Sequence, residues 1–366
     1  MVFGENSFQK IIGKEILRII TIIIIEMDKV RIGIIGMGRM GITHYSIINT
    51  HPSVEIVSVS DTSTMTLDIL GKFIPSLKTY TDYQKLLKAG DIDGVIVCTP
   101  SSLHYPVCKM AGELGISVFC EKPFTTDPNL ANELADLFEQ KALVNQVGYV
   151  NRYNQVFLTV KQYLEDGVIG NIRFVDAGFF SATVTKPQTA KGWRSKRENG
   201  GGVTYEMGSH LFDILNFVFG CQEKVLGSGM TSVYSTNVED ICVANIKYKN
   251  DILASVHVNW SDPTFRKPMM KVEICGDKGK LYADFYGMKV YLNEDNEKYN
   301  LKAGWTITPR NLMPVETRFY VRGAHFSDQL YDFADAIKEN RKSKGCSFRN
   351  AAETQTLIHD IFNNEK

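Results

Sequence analysis

Short apolar runs alternate with amphipathic stretches between Val30 and Tyr149. The apolar runs predict six strands, at Val30–Ile35, Val54–Ser60, Leu77–Tyr80, Gly94–Cys98, Ile116–Cys120 and Ala142–Tyr149. Helical spacing predicts helices from the glycine-rich loop to Asn49 and over Thr64–Phe73, Asp82–Ala89, His104–Leu114 and Pro128–Lys141. Strands and helices that alternate in this way predict an α/β fold with a parallel, doubly wound sheet.

The pattern changes after residue 150. Runs rich in Val, Ile, Tyr and Phe occupy 172–182 and much of 225–292, and a helix near Tyr205–Phe219 separates the two regions. Because these strands follow one another with little helix between them, we expect a mostly antiparallel second sheet. Two helices, His325–Asn340 and Asn350–Asn363, close the chain. The expected units are an extension over 1–26, a parallel-sheet domain over 27–149, a second domain over 150–324 and C-terminal helices over 325–366.

The first strand runs directly into the glycine-rich sequence Gly36-Met37-Gly38-Arg39-Met40-Gly41. In a strand–turn–helix unit, the first glycine permits a tight turn and the second lets the backbone approach a diphosphate. The third lets helix and strand pack closely. Glycines with this spacing also occur in ordinary loops. Their position after a buried strand favours dinucleotide binding, and Asp61, 25 positions after Gly36, is placed to bind the adenosine ribose.

Asp61 also bears on the choice between NAD and NADP. Its carboxylate disfavours a 2′-phosphate by charge, and no arginine follows it directly, so NAD is favoured. Arg39 inside the glycine loop keeps NADP open as the alternative, although this arginine can equally serve the pyrophosphate.

Composition narrows the choice of partners. The 366 residues are 44% hydrophobic and 22% charged, which is typical of a soluble globular protein with two domains. Lys plus Arg and Asp plus Glu number 41 each, so we expect neither nucleic acid nor a membrane as partner. Seven scattered cysteines indicate reduced thiols in a cytoplasmic protein.

The isoleucine-rich stretch 11–25 is interrupted by charges, so we expect residues 1–26 to be a weakly ordered extension, with Met27 as an alternative start.

Two loops follow strands at the carboxyl edge of the parallel sheet, where open α/β sheets bind their ligands. One loop carries Cys98, Thr99, Pro100 and His104, and the other is Glu121-Lys122-Pro123. A lysine in such a crevice can hold a substrate hydroxyl and help move its proton while the carbinol carbon loses hydride. The alternative is a solvated surface lysine beside a glutamate.

A third feature follows the glycines at 200–202. In a helix from Tyr205 onward, Glu206, His210 and Asp213 share one face within roughly 60°. An acid–imidazole–acid row can orient a histidine for proton transfer near neutral pH. A helix cap with an i,i+4 pair and a metal site are the alternatives. Since H-E-x-x-H is absent and no other histidine lies near in sequence, we expect no metal.

In their order and spacing, these motifs resemble the glucose–fructose oxidoreductase/inositol dehydrogenase (Gfo/Idh/MocA) family. The resemblance covers Val30 to Phe362. The motifs are GMGRMG at 36–41, CTPSSLH at 98–104, EKP at 121–123, VGYVNRY at 147–153, Trp193-Arg194, GGG with E-x-G-S-H-x-x-D within 200–213, Val238-Glu239-Asp240 and CGDKGKL at 275–281. The resemblance implies an N-terminal Rossmann domain and a C-terminal α/β domain. The large open sheet of the second domain would carry substrate contacts and the interfaces of a homodimer or homotetramer.

The resemblance also implies roles for individual residues. Lys122 matches a lysine that positions substrate and aids proton transfer, and His210 matches the general acid/base. Asp213 matches an acid that contacts substrate or supports the histidine, whereas Glu206 stands where many members have Asp. The implied cofactor contacts are Gly36, Met37, Gly38, Arg39, Met40, Gly41, Asp61, Cys98, Thr99, Pro100, His104, Glu121 and Lys122. The implied substrate contacts are Lys122, Arg152, Trp193, Arg194, His210 and Asp213.

The expected function is therefore NAD(P)-dependent hydride transfer between the secondary alcohol carbon of a sugar, sugar nucleotide or cyclitol and nicotinamide. One alternative is a glycosidase that oxidises its substrate transiently with bound NAD. The other is a nucleotide-binding regulator without turnover, against which the presence of both Lys122 and His210 argues.

Overall fold

The computed structural model describes residues 29–187, 193–313 and 323–365, apart from the side chains of Trp193 and Ala324. The predicted extension over 1–26 lies outside these residues. Within the described part of the chain, no helix has both the length and the apolar character needed to cross a bilayer. All seven cysteines are free thiols.

Six parallel strands form the first sheet. They are β1 (Val30–Ile35), β2 (Val54–Ser60), β3 (Lys78–Tyr80), β4 (Gly94–Val97), β5 (Ser117–Cys120) and β6 (Asn145–Val147). Their order, β3-β2-β1-β4-β5-β6, is that of a doubly wound dinucleotide-binding sheet. Strands β4 and β5 are buried at every residue, which is why they read as continuous apolar runs. The predicted parallel sheet is confirmed, with a sixth strand shorter than the apolar run 142–149.

Five helices cover this sheet. They are α1 (Arg39–Ile48), α2 (Thr64–Phe73), α3 (Tyr83–Lys88), α4 (His104–Glu113) and α5 (Pro128–Gln140). Side chains that accept a backbone N–H cap α2, α3 and α5, namely Ser63, Asp82 and Asp127. Helix α1 begins instead at Gly38, with no side-chain cap. Helix α1 therefore starts without the side-chain cap found at α2, α3 and α5, whereas α4, which also lacks one, continues a 3₁₀ turn over Ser101–Leu103.

Eight strands form the second sheet. They are β7 (Ile172–Phe180), β8 (Gln222–Thr231), β9 (Ile241–Tyr248), β10 (Leu253–Asn259), β11 (Met269–Gly276), β12 (Gly279–Asp284), β13 (Gly287–Leu292) and β14 (Gly304–Pro309). The order is β14-β13-β12-β11-β7-β10-β9-β8, and every neighbouring pair is antiparallel except β7 with β10. The mostly antiparallel sheet is thus confirmed.

One face of the second sheet packs against α6 (Gln155–Glu165) and α7 (Ser209–Phe219). Burial alternates along β9, β10 and β12, as it does in a sheet with one covered face. The other face exposes apolar side chains at Phe174, Val243, Leu253, Trp305 and Ile307. The homodimer or homotetramer implied by the family resemblance stays a prediction.

The sequence patterns above do not predict the short helix α6 or the edge strand β14.

The last two helices, α8 (Ala324–Lys338) and α9 (Phe348–Asn363), return to the first sheet. Helix α8 buries Leu330 and Phe333 in the core shared by β1 and α1. Helix α9 contributes Phe348 to a core of the first domain and Leu357 to the core of the second. The end of the chain therefore joins both domains, and the predicted domain bounds stay a prediction.

Candidate active site

The three glycines of the glycine-rich turn have different surroundings. Gly36 has φ +92°, and a Cβ there would lie 2.7 Å from the carbonyl carbon of Cys98. A Cβ at Gly41 would lie 1.9 Å from the carbonyl oxygen of Gly36, so α1 can pack this closely only without a side chain. At Gly38 a Cβ would meet nothing within 4 Å. The space beside Gly38 is open, at the position where a diphosphate is expected.

Other groups around this turn also fit a dinucleotide. The uncapped start of α1 carries the positive end of the helix dipole, which favours an anion. The hydroxyl of Thr99, in the loop after β4, is buried without a hydrogen-bond partner among the described residues. The backbone of the same loop lies directly against Gly36. The open space, the uncapped helix and the unpartnered hydroxyl together fit bound NAD.

Asp61 lies at the carboxyl end of β2, beside the glycine turn. Its Oδ2 accepts the backbone N–H of Met37 at 2.6 Å, and its Oδ1 accepts that of Ser63 at 2.8 Å. The carboxylate is thereby held where the ribose of a bound dinucleotide is expected. Arg39 is exposed in the first turn of α1.

Lys122 follows β5 and reaches the second domain. Its Nζ donates to the carbonyl oxygen of Glu206 at 3.0 Å and to Glu206 Oε2 at 3.4 Å. Arg194 Nη2 lies 3.2 Å from the other oxygen of the same carboxylate. The side chains of Lys122 and Glu206 are 16% and 17% exposed. Lys122 is thus held in a partly buried ion pair rather than solvated at the surface.

His104 joins the two loops that follow β4 and β5. Its Nδ1 lies 2.8 Å from the carbonyl oxygen of Pro123, and its Nε2 lies 2.9 Å from that of Thr99. Burial lowers the pKa of His104, against the opposing effect of these carbonyl oxygens. His104, which the sequence predicts as a cofactor residue, therefore contacts both loops and fixes their positions relative to each other.

His210 follows an irregular turn. Residues Thr204–Gly208 form a π-helical turn, and regular α-helix begins at Ser209. The imidazole packs edge-on against Tyr149 and Phe179, with ring centroids 5.9 and 6.4 Å away. Its Nδ1 has no hydrogen-bond partner in the described part of the chain. Burial, together with the nearby charge of Lys122, lowers the pKa of His210 well below its ordinary value, so the imidazole is neutral at pH 7.

Asp213 has a different environment from Glu206. Its buried carboxylate accepts hydrogen bonds from Arg152 Nε at 2.9 and 3.1 Å and from Arg152 Nη2 at 2.8 Å. The thiol of Cys346 also lies 3.3 Å from it. The predicted row around His210 is therefore divided between two ion pairs, Glu206 with Lys122 and Asp213 with Arg152. The catalytic roles assigned to both acids stay predictions.

Arg152 is 6% exposed, and most of its donors are used within the protein. Besides Asp213, its Nη1 donates to Asn350 at 3.1 Å, and its guanidinium lies over the ring of Phe217. This buried ion pair ties the end of the first domain to α7 and α9. A substrate contact of Arg152 stays a prediction.

The segment 193–202 brings the second domain against the two loops of the first. The Ser101 hydroxyl donates to the carbonyl oxygen of Asn199. A Cβ at Gly200, where φ is +79°, would lie 2.8 Å from the ring of Pro123. The exposed side chain of Arg194 reaches Glu206, whereas the Trp193 side chain lies outside the described structure. The substrate roles predicted for this segment remain untested.

Two residues at the site were not among the sequence candidates. Glu239 is 3% exposed and accepts hydrogen bonds from Arg197 and from the N–H of Thr204, thereby fixing the turn before His210. Its sequence signal is the motif at 238–240. His44, on α1, contacts Glu121. No local pattern relates residue 44 to residue 121, because only the packing of α1 beside β5 brings them together.

Across residues 29–187, 193–313 and 323–365, no three or more His, Cys, Asp or Glu side chains are grouped so that they could hold a metal ion.

Comparison with protein families gives matches on both domains. Residues 30–149 match the model described as an oxidoreductase family with an NAD-binding Rossmann fold. Residues 157–282 match the model of the GFO/IDH/MocA C-terminal domain. The two matches follow one another in the order that the motifs indicate.

Curated relatives and a solved structure agree with these matches. The chain is 30% identical over 195 residues to the rhizopine catabolism protein MocA of Rhizobium meliloti, covering 53% of this chain and 58% of the relative. It is 25% identical to D-glucoside 3-dehydrogenase of Escherichia coli, covering 74% of this chain and 81% of the relative. The structure of levoglucosan dehydrogenase in complex with NADH superposes with a TM-score of 0.81 at 18% identity, covering 92% and 96% of the two chains. The chain thus spans a little over half the length of MocA, and the structural likeness establishes the fold.

Proposed function

The chain belongs to the glucose–fructose oxidoreductase/inositol dehydrogenase (Gfo/Idh/MocA) family of oxidoreductases with an NAD-binding Rossmann fold, and on that premise we propose that it is an NAD-dependent dehydrogenase. Its substrate would be a secondary hydroxyl of a sugar, sugar nucleotide or cyclitol. NAD is preferred over NADP in this proposal because Asp61 places a carboxylate beside the glycine turn.

The observation that carries this proposal is the contact of Lys122, from the first domain, with Glu206, which lies four residues before His210 in the second domain. Lys122 Nζ contacts Glu206, four residues before His210, and lies close enough for its charge to lower the pKa of His210. An ammonium group and a neutral imidazole at one place are the two groups that an alcohol oxidation needs for its oxygen and its proton.

When bound, NAD supplies the acceptor for the hydride that leaves the carbinol carbon. Neutral His210 can take the hydroxyl proton, since its low pKa leaves a lone pair available at pH 7. The Lys122 ammonium can donate a hydrogen bond to the same oxygen and so stabilise the charge that develops on it. The rings of Tyr149 and Phe179 pack against the imidazole and limit the access of water to it.

The test is a panel of sugars and polyols with NAD or NADP, followed by absorbance of the reduced nicotinamide. In Lys122→Met and His210→Gln, we expect kcat to fall about 10²- to 10⁴-fold, because each variant removes one group that handles the oxygen or its proton. Matched controls are Lys109→Met, at a surface ion pair with Glu133, and His359→Gln, at an exposed position on α9. Both controls should keep wild-type turnover.

Protein fluorescence measured during NAD titration separates binding from chemistry. If both site variants bind NAD and turn over at the wild-type rate, the assigned roles are wrong. Release of a free aglycone without net reduction of NAD would support a glycosidase instead. A protein that binds NAD but converts no member of the panel would support a regulator.

A further inference from the structure

A buried histidine lies beneath the loop that carries Lys122. His44 is on the second turn of α1 and is 0% exposed. Its Nε2 lies 2.5 Å from Oε1 of Glu121, and its ring packs edge-on against Phe119 of β5. Neither the family matches nor the mechanism proposed above assigns a role to His44.

The other oxygen of Glu121 holds the main chain of Lys122. Glu121 Oε2 accepts the N–H of Lys122 at 3.2 Å. Burial raises the pKa of Glu121, but the hydrogen bond from His44 and the charges of His44 and Lys122 outweigh it and lower the pKa. Gly148 provides the room, since a Cβ there would lie 3.3 Å from the carboxyl group. Glu121 is thus an ionised carboxylate that accepts a hydrogen bond from His44 at one oxygen and from the backbone N–H of Lys122 at the other.

A buried histidine is energetically unfavourable at this position if it serves only to fill space in the core. Glu121 Oε1 accepts a hydrogen bond from His44 Nε2, so that nitrogen carries a proton, and His44 Nδ1 is buried without a hydrogen-bond partner among the described residues. A buried polar atom without a partner destabilises a fold, and apolar replacements of buried ion pairs are often neutral or stabilising. The pair therefore points to a role beyond stability.

Helix α1 connects the His44–Glu121 pair to the cofactor crevice, which is formed by the glycine turn at Gly36, Gly38 and Gly41. The helix begins at Gly38, in the turn that fits the diphosphate, and His44 lies between one and two turns further along the same helix. One helix thus starts where the cofactor diphosphate is expected and carries His44, which contacts Glu121 beside Lys122.

We propose that His44 is a positioning residue for the dehydrogenase reaction, acting through Glu121 to hold Lys122 in a fixed place relative to the nicotinamide. The inference rests on the proposed function for its kinetic consequence. The positioning of Lys122 itself can be measured without cofactor or substrate.

The experiment compares full-length wild-type protein with three variants. His44→Leu removes the donor to Glu121 and keeps apolar bulk, whereas His44→Gln keeps an amide N–H that can reach the same carboxylate. His51→Leu is the matched control. His51 is also buried in the first domain, and its Nε2 lies 3.1 Å from Oδ1 of Asp335 on α8, outside the site.

The first measurement uses the protein alone. Hydrogen exchange of the peptide containing Lys122, and the rate at which acetic anhydride acetylates Lys122, are followed by mass spectrometry. We expect both rates to rise severalfold in His44→Leu and to stay near wild type in His44→Gln and His51→Leu. Wild-type rates in His44→Leu would overturn the proposal, and so would an equal rise in His51→Leu, which would indicate general loosening.

If His44→Leu does not fold, Glu121→Gln provides the same test, because it keeps the shape of the side chain and removes its charge. The same two rates should rise, and unchanged rates would overturn the proposal.

The second measurement uses NAD and a sugar that the wild-type protein oxidises. In His44→Leu we expect kcat to fall about ten- to a hundredfold while KM and NAD affinity change less than about twofold, since only the placement of Lys122 changes. His44→Gln should recover most of the loss, and an unchanged kcat in His44→Leu would overturn the proposal. If no sugar is oxidised, the proposed function fails, while the exchange and acetylation rates still decide whether His44 positions Lys122.

Discussion

The cofactor crevice and the Lys122–His210 cluster are two parts of the candidate site that are assembled in different ways. The crevice is made of Gly36, Gly38 and Gly41, which are neighbours in sequence and depend on backbone geometry alone. The cluster brings together two side chains that are 88 positions apart, one after β5 and one on α7. The crevice is therefore sensitive to a single added carbon, whereas the cluster is sensitive to whether buried charges remain paired.

The largest expected effect is at Gly41 in the crevice. Gly41→Ala places a Cβ 1.9 Å from the carbonyl oxygen of Gly36, so the backbone must move. We expect a loss of at least about 4 kcal/mol in the free energy of unfolding, together with loss of NAD binding. Urea unfolding and NAD fluorescence titration measure the two effects.

Gly38→Ala is the control for this prediction. Its Cβ meets nothing within 4 Å and its φ of −70° suits any residue, so the free energy of unfolding should change by less than about 0.5 kcal/mol. NAD affinity should still fall, because the added methyl group occupies the space expected for the diphosphate. Equal stability losses at the two glycines would show that the crevice does not depend on close packing of α1.

The next effect concerns the buried charges near the cluster. Asp213→Ala leaves the guanidinium of Arg152 buried and without its main partner, and we expect a loss of about 3–5 kcal/mol in the free energy of unfolding. The double variant Arg152→Met/Asp213→Leu should recover most of this loss, because it removes both charges. Urea unfolding of Arg152→Met, Asp213→Leu and the double variant gives the coupling energy.

The same variants distinguish two roles for Asp213. A double variant that is stable and active would show that the acid serves only to pair Arg152. A double variant that is stable but turns over slowly would show that Asp213 also acts on substrate or on His210. A double variant as unstable as Asp213→Ala would contradict the ion-pair account.

The smallest effect is the pH dependence that comes from His210. Its folded pKa is lowered by burial and by Lys122, while the unfolded value is about 6.5, so the unfolded chain binds this proton more readily. Above pH 6.5 the group contributes no slope. As the pH falls from there toward the folded pKa, stability falls by at most about 1.4 kcal/mol per pH unit.

Urea unfolding at pH 8 and pH 5 checks this prediction, with His210→Gln as the comparison. The variant should lose less stability than wild type between the two values, because it no longer takes up this proton on unfolding. His104 and His257, whose pKa values burial also lowers, contribute equally to both proteins and cancel in the difference. An identical pH dependence in the two proteins would show that His210 is not held neutral by the fold.

Features that depend on local chemistry could be predicted from the sequence. The parallel sheet, the mostly antiparallel sheet and the last two helices follow from the spacing of apolar residues. The bounds were less accurate where the pattern is weak, as at β6, where only three residues of the apolar run 142–149 form the strand. Edge strand β14 alternates half-buried and exposed residues, so its sequence shows little contrast between the two faces.

The candidate site could be predicted in its members but not in its pairings. A regular helix through residues 206–213 would have put both acids beside His210. The π-helical turn over Thr204–Gly208 changes that geometry, and Glu206 lies with Lys122 instead. Asp213 forms an ion pair with Arg152 instead. The position of Arg152 depends in turn on its hydrogen bond to Asn350 of α9, at the end of the chain.

By itself, the sequence determined the glycine turn and the order of strands and helices, and it singled out Lys122 and His210 as candidates, because each lies in a motif of neighbouring residues or in a periodic pattern. Only the tertiary structure decided which carboxylate meets which cation, that His44 supports Glu121, and that α9 joins the two cores. The physical reason is that a buried charge takes its partner from whatever part of the chain packs against it, and that choice is made by packing over long sequence distances.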